Sequence, residues 1–159
     1  MNSSRGLLIL EADDFEVSNN VLVHTLRSKY SVVMFYTDTC VQCAHIKPII
    51  LKLVGNTIGL QVCMVNVYDQ DSKILIQMSQ KTSTPLQHVP FIMFYLNGIP
   101  FKRFDGQYNV SEFSTFINNS MAEAIKIDES ETVSGQIPPY TIGKPNSPKV
   151  CYLTYQKAY

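Results

Sequence analysis

Two cysteines separated by two residues, Cys40 and Cys43, are the part of this sequence best suited to chemistry. They follow an apolar run over residues 31–36 and open a stretch of helical periodicity that extends to Val54. The N-terminus of a helix carries partial positive charge and unpaired N–H groups, and both favour a thiolate over a thiol on the first cysteine. The second cysteine falls in the first helical turn, within reach of a disulfide. The pattern predicts thiol–disulfide exchange, with Cys40 exposed as the nucleophile and Cys43 as the resolving thiol.

Zinc sites use the same C-x-x-C spacing, so metal binding is the competing interpretation. Besides the two cysteines, the candidate ligands are His88, which precedes a proline by two residues, and His45 on the predicted helix. The sequence has no second C-x-x-C, whereas structural zinc sites have four protein ligands. We therefore predict no metal and no cofactor. Cys63 lies in an apolar strand and is predicted to be a buried small hydrophobe, and Cys151 is predicted to be free.

Length and composition limit the classes of function. The chain has 159 residues, 45% of them hydrophobic, which predicts one domain with an appendage. Lys plus Arg residues number 13, as do Asp plus Glu residues, so no basic face is expected. We therefore predict that the protein does not bind nucleic acid. The apolar runs are far shorter than the roughly 20 residues of a membrane-spanning helix. No secretory signal is expected in residues 1–11, so the four cysteines predict a reducing compartment, the cytoplasm.

The elements around the cysteines alternate between strands and helices. Apolar runs predict strands over residues 7–11, 31–37, 60–67, 91–96 and 101–104. Helical spacing predicts helices from Ser18 to Arg27, from Cys43 to Val54, after Asp69, and from Asn109 to Ile127. Asn97-Gly98 is a strong hairpin-turn signal, and the charged residues Lys102, Arg103 and Asp105 predict a solvated edge. This order predicts an α/β fold with a central mixed β-sheet flanked by helices.

The last part of the sequence, residues 130–159, has a different composition. It contains four prolines and four tyrosines with little periodicity. Such a composition is typical of an extended arm rather than a packed domain. We therefore divide the chain into a domain at residues 1–129 and a C-terminal arm at residues 130–159, which is a candidate segment for binding an assembly partner.

The order of elements and the C-x-x-C motif together resemble the thioredoxin family over residues 7–127. Pro48 falls where that family has a helix-kinking proline, and Val89-Pro90 falls where it has a cis-proline that faces the active site. The resemblance implies the thioredoxin fold and a dithiol, Cys40 and Cys43, that exchanges with disulfides of protein substrates. It also implies that the backbone of Val89 and Pro90 form a platform for an extended substrate.

Several positions depart from the family pattern. Thr39 replaces the usual tryptophan before the first cysteine, and Val41-Gln42 replaces the usual Gly-Pro between the cysteines. Met34 and Met64 occupy the positions of the buried acid and its partner lysine, so Cys43 lacks the usual base. The resemblance thus implies an oxidoreductase whose redox potential differs from the family's, with His88 and Thr39 as candidate tuning residues.

Two functions from different classes follow from these observations. The first is a thiol–disulfide oxidoreductase that uses Cys40 and Cys43. The second is a redox-idle structural or interaction component of a large assembly or virion, for example a viral capsid, that docks through residues 130–159. The missing acid–lysine pair favours the second function, and the C-x-x-C at a strand–helix junction favours the first.

Overall fold

The structure, a computed structural model, describes residues 6–134 and 151–152, with side chains from residue 6 to residue 128. In chain order its strands are β1 (Leu7–Ile9), β2 (Phe15–Ser18), β3 (Val21–His24), β4 (Tyr30–Tyr36), β5 (Leu60–Asn66), β6 (His88–Val89), β7 (Phe91–Leu96), β8 (Ile99–Arg103) and β9 (Cys151–Tyr152). Its helices are α1 (Val41–Leu51), α2 (Ile74–Gln80) and α3 (Val110–Ser134). None of the helices in this described part is long and apolar enough to cross a membrane.

The central sheet has five strands in the order β1-β5-β4-β7-β8. The β1–β5 and β4–β5 pairs are parallel, whereas the β4–β7 and β7–β8 pairs are antiparallel. The predicted mixed sheet flanked by helices is therefore confirmed. Residues 31–35 of β4 are all buried, which agrees with an apolar strand covered on both faces. This central strand ends at Tyr36 and leads directly toward the two cysteines.

The helix predicted from Ser18 to Arg27 is wrong, because this segment forms the β2–β3 hairpin. Asn19 and Asn20 form the turn with φ values of 51° and 68°. Asparagine tolerates this left-handed backbone region, and a two-residue turn of that kind matches the twist of paired strands. The spacing of Val17 and Val21 fits a helix as well as a strand, so the apolar pattern alone did not distinguish them.

The predicted turn at Asn97-Gly98 is confirmed, since it joins β7 to β8 with φ values of 54° and 83°. The Gly98 carbonyl accepts a 3.0 Å hydrogen bond from the backbone N–H of His24 in β3. A Cβ atom at Gly98 would collide with the carbonyl oxygen of His24. Glycine is thus required here both for the backbone conformation and for the close approach of β3.

The C-terminal part differs from the predicted elements in two ways. Helix α3 extends to Ser134, beyond Ile127, where the predicted helix ended. Strand β9 pairs with β6, and neither of these two short strands was among the predicted elements. Most of the predicted arm, residues 135–150 and 153–159, lies outside the described residues.

Candidate active site

Cys40 is positioned by the junction between β4 and α1. Its φ and ψ angles of −85° and 113° are extended, and it is the N-cap residue of α1. The backbone N–H of Cys43 donates a hydrogen bond to Cys40 Sγ over 3.1 Å. A sulfur atom therefore occupies the place that a serine or aspartate oxygen takes at most helix starts. A thiolate accepts such a hydrogen bond better than a thiol does, so the arrangement stabilises negative charge on Cys40.

Both cysteines are buried, Cys40 being 3% exposed and Cys43 2% exposed. The expectation that Cys40 is exposed at the helix start is therefore wrong, because the folded chain leaves only a small part of this side chain accessible. A small cleft of about 120 Å³ borders both cysteines and is also lined by Tyr36 and Lys47. Lys47 Nζ lies 5.5 Å from the centre of the Tyr36 ring. Burial, followed by the nearby carboxylates and Cys43, raises the pKa of Tyr36, which keeps its phenol neutral.

The predicted substrate platform lies at the same end of the sheet as the cysteines. Phe91 at the start of β7 pairs with Phe35 near the end of β4, and these strands are antiparallel. Residues just before Phe91 therefore lie beside residues just after Phe35. This register brings Val89 and Pro90 to the side of the loop that leads to Cys40. The Val89–Pro90 peptide bond is cis, and Val89 is fully buried.

His88, a candidate tuning residue, is buried at the edge of this platform. Its Nε2 lies 3.1 Å from Nη1 of Arg103, and its ring centre lies 5.5 Å from that of Phe91. Burial, first, and the positive charge of Arg103, second, lower the pKa of His88 to about 4. The imidazole is therefore neutral at pH 7, and it supplies no positive charge to this end of the sheet.

The burial of Arg103 in this region was not predicted from the sequence. It was predicted to be part of a solvated edge, but its side chain is only 4% exposed. Its guanidinium contacts His88, pairs with Asp105 and lies 5.8 Å from the centre of the Phe91 ring. The alternation in β8 does not reveal this burial, because the covering groups come from β6 and β7. Lys102 keeps the predicted exposed position and pairs with Glu123 over 2.9 Å.

Thr39, the other candidate tuning residue, is exposed next to Cys40. It borders a wider polar cleft of about 760 Å³ that is also lined by Asp38, Asp69 and Lys73. In this cleft Asn66 Nδ2 donates a 3.1 Å hydrogen bond to Asp38 Oδ2. Polar groups thus line the surface on the Thr39 side of the dithiol.

Met34 and Met64 lie opposite each other in the parallel pairing of β4 and β5, and both are 1% exposed. The positions at which the resemblance implied an acid–lysine pair are therefore in register and are filled by two thioethers. An apolar, unbranched side chain fills this space without a buried charge. These two positions supply no group that could accept the proton of Cys43.

Cys63 and His45 are the remaining residues that the sequence brought forward. Cys63 is fully buried in β5, as predicted, and burial together with the charge of Asp14 raises its pKa to about 12. It therefore stays a thiol that does not react. Among the described residues, no group of three or more His, Cys, Asp or Glu side chains could hold a metal ion. His45 lies instead 6.4 Å from the ring of Tyr108.

Known proteins of several kinds are similar to this chain. The uncharacterized protein 020R of Invertebrate iridescent virus 3 is 54% identical over 164 residues, which cover 99% of each chain. The uncharacterized protein 196R of Invertebrate iridescent virus 6 is 35% identical over 164 residues, which cover 96% of this chain and 93% of that protein. Among solved structures, thioredoxin f2 of Chlamydomonas reinhardtii has a TM-score of 0.51 at 24% identity, covering 72% of this chain and 95% of its own.

Human ERp44 has a TM-score of 0.53 at 18% identity, and the match covers 71% of this chain but only 29% of the ERp44 chain. At these identities the solved structures establish the fold alone. The family model described as Thioredoxin matches residues 9–119, which include the dithiol, Val89 and Pro90. On this match, and on the sheet order and dithiol position described above, the chain belongs to the thioredoxin family.

Proposed function

We propose that this protein is a thiol–disulfide oxidoreductase that acts on disulfide-bonded proteins, with Cys40 as the nucleophile and Cys43 as the resolving thiol. The observation that carries the proposal is the hydrogen bond from the Cys43 N–H to Cys40 Sγ at the start of α1. This donor and the positive end of the helix both stabilise charge on the sulfur that attacks. Cys63 lacks any comparable setting.

The reaction has two exchange steps. The Cys40 thiolate attacks one sulfur of a substrate disulfide, a bond forms between Cys40 and that sulfur, and the other sulfur leaves with the electron pair and takes up a proton. Cys43 then loses its proton and attacks Cys40 Sγ, which releases the second substrate sulfur. The substrate gains two electrons, the Cys40–Cys43 disulfide forms, and a dithiol reductant must reduce it for the next cycle. Since Met34 and Met64 offer no base, the Cys43 proton passes to solvent or to the leaving sulfur.

An extended substrate would pair with the backbone at Val89 and contact Pro90, which lie at the dithiol end of the sheet. His88, the residue before Val89 in β6, is neutral, and its ring is held in place by the contact with Arg103. Thr39 contributes an exposed hydroxyl beside Cys40, where the approaching chain passes. The substrate class is accordingly proteins with accessible disulfides.

A redox-idle interaction component is the second candidate function. Two observations favour it: the methionine pair at Met34 and Met64, and the 3% exposure of Cys40. The similarity to two viral proteins makes an assembly of viral components, including a virion, the setting for this alternative. For the oxidoreductase, the cytoplasm remains the predicted location.

Reduction of insulin disulfides by dithiothreitol tests the proposal. The intact chain is expected to accelerate the reaction, and Cys40→Ser is expected to abolish the acceleration. Cys43→Ser is expected to slow turnover strongly and, with a small disulfide reagent in the absence of dithiothreitol, to accumulate a mixed disulfide at Cys40, because the resolving thiol is missing.

Cys63→Ser is the matched control, since it removes a thiol that is buried in the same sheet but has no role in the exchange. Its activity is expected to equal that of the intact chain. If Cys43→Ser forms no mixed disulfide with a small disulfide reagent although thiol titration finds Cys40 reduced, the oxidoreductase proposal is refuted and the interaction component is supported.

A further inference from the structure

Strand β6 presents a backbone edge that is occupied by the chain's own C-terminal segment. In the antiparallel pairing of β6 with β9, Cys151 lies opposite Val89 and Tyr152 lies opposite His88. The two strands form a sheet of their own, separate from the central five-stranded sheet. An edge of this kind binds an extended segment through main-chain hydrogen bonds, whatever the origin of that segment.

This edge is located next to the dithiol. The β4–β7 register places Val89 beside the loop that leads from Tyr36 to Cys40, as described above. Cys40 is at the same time only 3% exposed. A nucleophile that attacks a disulfide of another protein has to contact its sulfur directly, so a buried Cys40 requires some part of the structure to move first.

We propose that Cys151–Tyr152 is an internal ligand of the β6 edge, and that this segment must leave the edge before a protein disulfide reaches Cys40. The part of this inference that concerns substrates rests on the proposed function, whereas the shielding of Cys40 does not. The register also defines the ligand that the edge accepts. It is an extended segment that runs antiparallel to β6, with consecutive residues opposite Val89 and His88.

The test compares the rate at which iodoacetamide alkylates Cys40 in the reduced intact chain and in a full-length double variant, Cys151→Pro/Tyr152→Pro. Proline lacks the N–H that strand pairing needs, and two prolines remove it at both paired positions. Mass spectrometry of the peptide that contains Cys40 follows the reaction. The variant is expected to react about tenfold faster, which corresponds to the loss of one or two net hydrogen bonds.

Thr141→Pro/Ile142→Pro is the matched control, because it makes the same change in the C-terminal segment away from the paired residues. It is expected to react at the rate of the intact chain. A synthetic peptide, Lys-Val-Ser-Tyr-Leu, reproduces residues 149–153 with serine in place of Cys151. In excess, it is expected to restore slow alkylation in the Cys151→Pro/Tyr152→Pro variant, which also demonstrates that the variant is folded.

Equal alkylation rates in the intact chain and the Cys151→Pro/Tyr152→Pro variant would overturn the inference, as would an equal acceleration in the control variant. Insulin reduction by both chains then separates the two proposals. An absence of turnover in both chains, combined with faster alkylation in the variant, refutes the oxidoreductase and retains the internal ligand.

Discussion

Protonation of His24 is expected to destabilise the domain in mild acid. His24 Nδ1 accepts a 3.2 Å hydrogen bond from the Leu26 N–H, so its proton lies on Nε2, which donates to Ser31 Oγ over 2.7 Å. The residue is 4% exposed and its ring centre lies 4.8 Å from that of Tyr95. A second proton on Nδ1 would face the Leu26 N–H and would place a charge in the core.

The magnitude follows from the pKa. Burial lowers the pKa of His24 from 6.5 to about 4, and the charge of Asp14 opposes this only partly. Between these pH values the unfolded chain binds more protons than the folded chain, so the free energy of unfolding falls as the pH falls. The loss from His24 is about 2 kcal/mol at pH 5 and reaches about 3 kcal/mol once the pH is below 4.

Urea unfolding at pH 7.5 and at pH 5.0, followed by circular dichroism, measures this contribution. His24→Gln keeps a polar side chain that does not titrate, so it is expected to be less stable at pH 7.5 but to lose about 2 kcal/mol less than the parent between the two pH values. His45→Gln, at an exposed position on α1, is the control and is expected to keep the parent's pH dependence. Parallel pH profiles of the parent and His24→Gln would refute the reasoning, whatever their difference in absolute stability.

Two further predictions concern backbone conformation and the core. Gly98→Ala is expected to lower the free energy of unfolding by about 3 kcal/mol, since the new methyl group collides with the His24 carbonyl at a φ of 83°. Gly59→Ala shares the positive φ, 82°, but meets no atom within 4 Å, so a loss of only about 1 kcal/mol is expected in the same urea titration. Met34→Asp buries a carboxylate against Met64 and is expected to lower the free energy of unfolding by about 3 kcal/mol or more at pH 7.5. The loss is expected to be smaller at pH 4, where the carboxylate is partly protonated. A urea midpoint equal to that of the parent at both pH values would contradict the burial of Met34.

Local patterns predicted the features of the site that depend on neighbouring residues. The strand at residues 91–96, the Asn97-Gly98 turn and the cysteines at a strand–helix junction all follow from short-range sequence preferences. The hairpin at Asn19-Asn20 was missed because its flanking apolar residues also fit a helical spacing. Only the pairing of β2 with β3, and the hydrogen bond from His24 to Gly98, decides between the two.

The sequence by itself determined which groups are the candidates for chemistry, the Cys40 and Cys43 thiols, together with their place at the start of α1 and the apolar strands that precede it. Tertiary structure alone decided how accessible Cys40 is and which charged groups lie near the candidate site. It buried Cys40 to 3% exposure, held Arg103 against His88, and paired Cys151 with Val89. These contacts join residues that are far apart in the chain, and burial and strand pairing depend on what the fold places opposite a residue rather than on its neighbours in sequence.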